Sequence, residues 1–306
     1  MKILIATEKP FAKTAVNGIR KIIESLGYEL CLLEKYTEES QFLSAVADVD
    51  AFIVRSDKVT RKVIDAAKNL KIVVRAGAGF DNLDLDACTE KNIVAMNTPG
   101  QNSNAVAELV LGLMVFMNRN KFTAGTGREL KGKKLGIHAY GNVGRLVARI
   151  AKGFDMEIWA FDPFVKKETM QADGITVVDN VEDLYANCDY ISLHIPANDK
   201  TKKSINYKLL NLMPENGCLI NTARKEIIDE DELLKILEER ADMKYATDVA
   251  PSNISELQEK FGLRVFATPK KIGAETAEAN INAGLAAANQ IVNFFKSGDT
   301  TFQLNK

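Results

Sequence analysis

The sequence predicts an α/β protein made of two doubly wound parallel sheets. Three observations carry that prediction. Short β-branched runs alternate with amphipathic stretches from the first residue on, as parallel strands do when helices join them. A second series of the same kind begins at Lys134. Finally, 306 residues are enough for two ordinary domains.

In order, Lys2–Ala6 reads as a buried strand and the stretch near Thr14–Leu26 as a helix. Candidate strands follow at Glu29–Leu33, Ala51–Val54, Ile72–Ala76 and Val94–Met96. Asn102–Asn118 reads as one long helix with almost no polar face, which demands burial between layers, domains or subunits. The second series places strands at Lys134–Ala139, Glu157–Phe161, Ile175–Val178, Tyr190–Leu193, Cys218–Asn221, Tyr245–Asp248 and Val265–Ala267. A last helix, Glu275–Lys296, is expected to return the chain to the first domain. Asn97–Gly100 is the expected hinge. The expected division is 1–98 with 282–306 for one domain and 99–281 for the other.

Bulk properties exclude several classes. Forty basic against forty-one acidic side chains leave a net charge of -1, so a polyanion such as nucleic acid is a poor partner. The longest apolar run, Leu109–Met117, is far short of the ~20 residues a membrane span needs. Cys31, Cys88, Cys188 and Cys218 lack CxxC spacing and read as buried thiols in a reducing cytoplasm, not as disulfides or a metal site.

The most specific local signal is Leu135–Tyr140 as a strand, Gly141-Asn142-Val143-Gly144 as a turn, and Arg145–Gly153 as a helix, with Glu157–Phe161 and Asp162 beyond. This is the dinucleotide-binding unit with Ala139 in place of the first glycine of GxGxxG. Gly141 permits backbone to approach a pyrophosphate, and Gly144 permits close helix–strand packing. Alanine at the first position asks that the turn tolerate a methyl group. Amides near Asn142 and Val143 would hold phosphate at the helix N-terminus. Asp162 stands about 20 residues beyond the glycines, where a carboxylate accepts both ribose hydroxyls and repels a 2′-phosphate, favouring NAD over NADP.

Further motifs resemble the D-2-hydroxyacid dehydrogenase family. Arg75-Ala76-Gly77-Ala78-Gly79-Phe80-Asp81-Asn82-Leu83 is similar to its substrate-carboxylate loop. Ala105-Val106-Ala107-Glu108, Leu193-His194-Ile195-Pro196, Asn221-Thr222-Ala223-Arg224, Ala246-Thr247-Asp248-Val249 and Thr268-Pro269-Lys270-Lys271-Ile272-Gly273 also match in order. Within the family the likeness is to the short D-3-phosphoglycerate dehydrogenases without a C-terminal regulatory domain; the chain ends at Lys306 with no room for one. The resemblance implies a Rossmann NAD-binding domain inserted in a flavodoxin-like substrate domain, and a homodimer. It also implies that Arg224 grips the substrate carboxylate and polarises the reacting oxygen, a task suited to a planar, permanently charged fork. By the same likeness, Asp248 receives the nicotinamide carboxamide. Tyr140, His194, Ile195, Pro196, Thr222 and Ala223 line the cofactor, and Ala76 and Gly77 offer amides to the substrate carboxylate. Arg55 and Ser56 stand at the substrate's far end.

The pattern breaks where the family carries its acid–base histidine after Thr-Pro: this chain has Lys270-Lys271, and its only histidines are His138 and His194. Lys271 is preferred, because Ile272-Gly273 fixes the approach from downstream. The family's partner glutamate is replaced by Asn253. That change is consistent, since a carboxylate beside lysine raises an already high pKa, whereas asparagine can hydrogen-bond the amine without charge. Burial and the cations Lys270 and Arg224 are expected to bring the lysine into a useful range. At the phosphate end a further expected cation is replaced by Asp57, with Lys58, Arg61 or a partner subunit left to compensate. Two readings stand: NAD-dependent oxidation of D-3-phosphoglycerate or another small D-2-hydroxy acid such as glycerate, or a non-catalytic NAD(H)-sensing protein.

Overall fold

The computed structural model describes residues 1–306 and divides into two units, Met1–Asn102 with Glu275–Lys306, and Ser103–Ala274. Residues 99–102 and 275–281 therefore go with the first unit, whereas the sequence reading placed them in the second.

The first unit runs β1 (Lys2–Thr7), α1 (Lys13–Glu24), β2 (Glu29–Glu34), α2 (Glu39–Val46), β3 (Ala51–Val54), α3 (Arg61–Ala66), β4 (Ile72–Arg75), α4 (Leu85–Glu90) and β5 (Val94–Asn97). The strands form one parallel sheet in the order β2-β1-β3-β4-β5, so the winding reverses between β1 and β3. Ile3, Ile5, Ala51, Phe52, Ile53, Ile72, Val73 and Val74 are wholly inaccessible. That explains why these strands read as continuous apolar runs: a parallel sheet is covered on both faces. The chain's last helix, Ala277–Ser297, packs on α1 through Ala283, Ala287, Ala288 and Ile291. Gly18 and Gly284 allow that approach, because a Cβ on Gly18 would meet Leu285 at 2.5 Å.

The second unit opens with α5 (Ser103–Asn118), then β6 (Lys134–His138), α6 (Asn142–Lys152), β7 (Glu157–Phe161), α7 (Lys167–Ala172), β8 (Thr176–Val177), α8 (Val181–Asn187) and β9 (Tyr190–Leu193). It continues with α9 (Tyr207–Leu210), β10 (Cys218–Asn221), α10 (Glu230–Glu239), β11 (Lys244–Thr247), α11 (Ile254–Phe261) and β12 (Val265–Ala267). The sheet is parallel, in the order β12-β11-β10-β9-β6-β7-β8. Its winding reverses between β6 and β9, and in open α/β sheets ligands bind at the carboxyl ends of strands beside such a reversal. The apolar helix α5 buries Ala107, Val110, Leu111, Leu113, Met114 and Met117 against this unit's own core, which accounts for its missing polar face. No helix is long and apolar enough to cross a membrane. All four cysteines are free thiols; Cys31 is half-buried and the other three are buried.

Candidate active site

The turn after β6 is built as the spacing requires, with one difference. Gly141 is the residue before α6, no side chain caps that helix, and a Cβ on Gly141 would meet nothing within 4 Å. The first amides of α6 therefore face open space, an arrangement that favours an anion. A Cβ on Gly144 would lie 2.4 Å from the Ala139 carbonyl oxygen and 2.9 Å from Ile137, so only glycine lets the helix sit this close to the strand. Ala139 has φ +82°. The alanine thus demands more than room for a methyl group, since its Cβ crowds the backbone in the left-handed region at a cost of about 1–2 kcal/mol.

Asp162 stands at the end of β7, but its carboxylate is largely spoken for. Oδ2 accepts from the Tyr140 amide at 2.8 Å, and Oδ1 from Phe164 and Val165 at 2.8 and 3.0 Å. Of about four lone-pair positions one remains, so Asp162 has room for a single hydroxyl donor and not the two expected. Tyr140 itself is buried, with its phenol donating to Asp173 at 3.0 Å. Its contribution to the turn is its backbone. Asn142 is exposed and Val143 half-buried on the first turn of α6.

At the neighbouring strand ends, the His194 amide donates to the His138 carbonyl at 2.9 Å, and His194 Nε2 lies 2.9 Å from Ser192 Oγ. Burial pushes the His194 imidazole down to about 3, helped by His138, and burial pushes His138 down to about 4. Both rings are neutral near pH 7, and neither titrates where an acid–base group must. Ile195 is buried, Pro196 exposed, and Thr222 is buried with its Oγ1 lacking any partner.

Asn221, which the sequence reading left out of the site, organises the next strand end. Its Oδ1 accepts from Ala223 at 3.0 Å, its Nδ2 donates to the Arg224 carbonyl at 2.9 Å, and its own carbonyl accepts from the Thr247 hydroxyl and the Asp248 amide. A polar residue closing an otherwise apolar buried strand was the signal available. Arg224 is half-buried and donates from Nη1 to the Ala223 carbonyl at 2.9 Å. Asp248 is buried; its Oδ2 accepts from the Gly273 amide at 2.7 Å, while its Oδ1 has no partner. Desolvation raises its pKa, opposed by the Gly273 amide and by the charges of Lys271 and Arg224. Gly273 is a second omission: a Cβ there would sit 2.7 Å from Asp248 Oδ2, so glycine is what ties this loop to the carboxylate.

Arg224, Lys225, Glu226, Asp248, Val249, Ala250 and Thr268–Lys271 line one cleft of about 370 Å³. The structure corrects two expectations here. Lys271 is exposed where burial was expected, and its charge acts on the carboxylate of Asp248. Asn253, the residue before α11, does not hold the amine: its Nδ2 reaches the Glu230 carbonyl at 3.5 Å and its Oδ1 is buried without a partner.

The first unit brings further corrections. The Ala76 amide donates to the Val54 carbonyl at 2.8 Å and the Gly77 amide to the Arg75 carbonyl at 2.9 Å, so neither is open to a ligand. The next two amides, of Ala78 and Gly79, make no hydrogen bond within the protein. Asn97 holds that loop by donating to the Ala78 carbonyl at 2.6 Å. Arg55 donates to the Lys9 and Pro10 carbonyls at 3.1 and 3.3 Å and to Asn280, over the ring of Phe11. Asp57 is a buried structural carboxylate that accepts from the Glu8 amide, the Tyr36 hydroxyl and the Arg55 amide. Arg61 forms a bidentate pair with Glu90, while Ser56 and Lys58 are exposed.

An open cradle at Gly141, uncapped amides on α6 and orphaned buried oxygens at Thr222 and Asp248 define a dinucleotide-binding α/β protein, and they fit NAD. Comparison with known proteins agrees. Residues 110–272 match the model described as D-isomer specific 2-hydroxyacid dehydrogenase, NAD binding domain. The chain belongs to that family. It is 38% identical over 286 residues to D-3-phosphoglycerate dehydrogenase of Methanocaldococcus jannaschii, covering 89% of this chain and 54% of that protein. It is 35% identical to hydroxypyruvate reductase of Thermotoga maritima, covering 86% and 90%. An NAD+-bound 3-phosphoglycerate dehydrogenase structure from Entamoeba histolytica superposes with TM-score 0.88 at 50% identity, covering 100% of this chain and 99% of that one. The chain spans about half the length of the curated phosphoglycerate dehydrogenases it matches.

Proposed function

We propose that the protein oxidises D-3-phosphoglycerate to 3-phosphohydroxypyruvate with NAD, the entry step of serine synthesis. The observation that carries this reading is Arg224 and Lys271 on one cleft beside a buried Asp248 whose Oδ1 lacks a donor. The naming of its relatives supports the substrate. When bound, NAD supplies the hydride acceptor. Asp162 would hold a ribose hydroxyl, the α6 amides the pyrophosphate, and Thr222, His194, Ile195, Pro196 and Ala223 would line the cofactor. Asp248, whose Oδ1 lacks a donor, would accept from the carboxamide.

Arg224 grips the substrate carboxylate and stabilises charge on the C2 oxygen, and its fork geometry fixes the acid in one orientation. Lys271 as a neutral amine takes the C2 hydroxyl proton on Nζ; its ammonium form returns it in the reverse direction. The enzyme works as a cytoplasmic homodimer.

NADH formation with D-3-phosphoglycerate, D-glycerate and D-lactate tests the reading. Turnover favouring the phosphorylated acid is expected; a preference for D-glycerate assigns a different small hydroxy acid, and no turnover overturns the enzyme reading. Lys271→Ala is expected to lower kcat about 10²–10⁴-fold and abolish the alkaline rise of the rate. Lys270→Ala retains that pH profile. Near-normal kcat in Lys271→Ala would sink the assignment.

A further inference from the structure

The α6 turn presents main-chain amides to the pyrophosphate, and none of the groups assigned to it so far carries a full positive charge. A helix N-terminus contributes about half an elementary charge, whereas each phosphate of the cofactor is ionised. Acids in the first turn of a helix and bases in its last are the arrangement that suits the helix dipole. In α6 only half of it is present. Arg149 and Lys152 stand in the last turn, but the first turn holds no acid and is closed by Arg145, whose amide donates to the Gly141 carbonyl at 3.0 Å. By contrast, α8 opens on Glu182 and Asp183, and α10 on Glu230, Asp231 and Glu232. A cation at the N-terminus of α6 is unfavourable until an anion joins it.

The Arg145 side chain is directed at that N-terminus. Side chains on a helix lean toward its start, and here Nε donates to the Tyr140 carbonyl at 3.3 Å. The guanidinium lies over the Tyr140 ring, 5.7 Å from its centre. That ring is a fixed plate, because Tyr140 is buried and its hydroxyl donates to Asp173. Arg145 itself is exposed, and its two Nη groups donate to nothing in the protein. Asp162 is engaged by main-chain amides and Asp173 by the Tyr140 hydroxyl, and neither forms an ion pair with Arg145. Arg20, Arg61 and Arg240 each pair with a carboxylate. Tyr140 also fixes which phosphate is in reach. Its amide donates to Asp162, the ribose acid, and its carbonyl accepts from Arg145, so the guanidinium stands on the adenosine side of the turn.

We propose that Arg145 binds the cofactor, its Nη groups forming a charge-assisted fork on the phosphate next to the adenosine ribose. The main-chain amides then fix where the pyrophosphate lies, and Arg145 supplies the charge they lack. The inference rests on NAD binding at this turn and is independent of which hydroxy acid is oxidised.

ADP-ribose and adenosine, each competing against NADH, separate phosphate contacts from nucleoside contacts. Arg145→Gln is expected to weaken ADP-ribose about 10-fold and to leave adenosine unchanged. Arg145→Lys, a point charge without the fork, should recover part of the loss. Rising salt should weaken ADP-ribose less steeply in Arg145→Gln than in wild type. Arg149→Gln removes the same charge one turn further on and should leave both ligands unaffected. ADP-ribose affinity within about two-fold of wild type in Arg145→Gln overturns the proposal. So does an equal loss for adenosine, which makes Arg145 a support of the turn, or an equal loss in Arg149→Gln, which reduces the effect to general surface charge. If ADP-ribose fails to bind the wild type, the cofactor site itself is misassigned and the inference falls with it.

Discussion

Arg55 and Arg224 occupy comparable places in the two units. Each follows a fully buried parallel strand, β3 or β10, at the carboxyl edge of its sheet. By sequence both looked like substrate arginines. Arg55 spends its donors on Lys9, Pro10 and Asn280, and so locks the loop after β1 to the last helix. Arg224 donates to the carbonyl of its own neighbour, Ala223, and lines a cleft that also contains Asp248. A strand end supplies a location; the acceptors already present around it decide whether the cation is structural or available to a ligand.

The largest expected effect tests that contrast directly. Arg224→Gln should lower kcat/KM about 10²–10³-fold with little change in stability. Arg55→Gln should leave kcat near wild type and cost about 2 kcal/mol in urea unfolding, because three acceptors lose a charged donor. An exchange of those two outcomes would break the comparison.

Acid should also separate the two units, since both histidines lie in the second. Burial holds His138 and His194 below the unfolded value of ~6.5, at about 4 and about 3. The unfolded chain therefore binds more protons across that window, so stability is present above pH ~6.5 and is lost as pH falls toward the folded values. His138 alone accounts for about 2 kcal/mol by pH ~4.5. Trp159, the single tryptophan, lies on β7 and reports the second unit. Its fluorescence should shift at milder acid than that at which the last of the far-UV signal is lost. In His138→Gln the tryptophan transition should move to lower pH; an unmoved midpoint would remove this histidine from the explanation.

The smallest effect is at Ala139. Ala139→Gly should stabilise the protein by about 1 kcal/mol, because glycine adopts the positive φ without strain. A thermal midpoint unchanged or lowered would show that the surrounding turn, not the alanine, sets this conformation.

The sequence made some features legible and hid others for identifiable reasons. Ala51–Val54, Glu157–Phe161, Tyr190–Leu193, Cys218–Asn221 and Val265–Ala267 are strands with the limits read from pattern; Ala51–Val54 shows why most clearly, since burial on both faces leaves an unbroken apolar run. The Gly141 turn was legible because its chemistry is local. The amides of Ala76 and Gly77 are taken up by the Val54 and Arg75 carbonyls, bonds that no local pattern announces. The exposure of Lys271 and the orphaned Oδ1 of Asn253 were hidden in the same way.

By itself, then, the sequence determined the two parallel sheets, the phosphate-facing turn with its missing first glycine, and the substitution of lysine for histidine opposite it. Those follow from hydrophobic period, glycine placement and residue identity, all of which act within a few neighbours. Only the tertiary structure decided which polar groups remain open. Arg55 is satisfied by Asn280 and Asp57 by Glu8 and Tyr36, whereas the carboxylate oxygen Asp248 Oδ1 is left without a donor. A donor or acceptor can be saturated by any residue the fold brings near, and that assignment exists only once the chain has closed on itself.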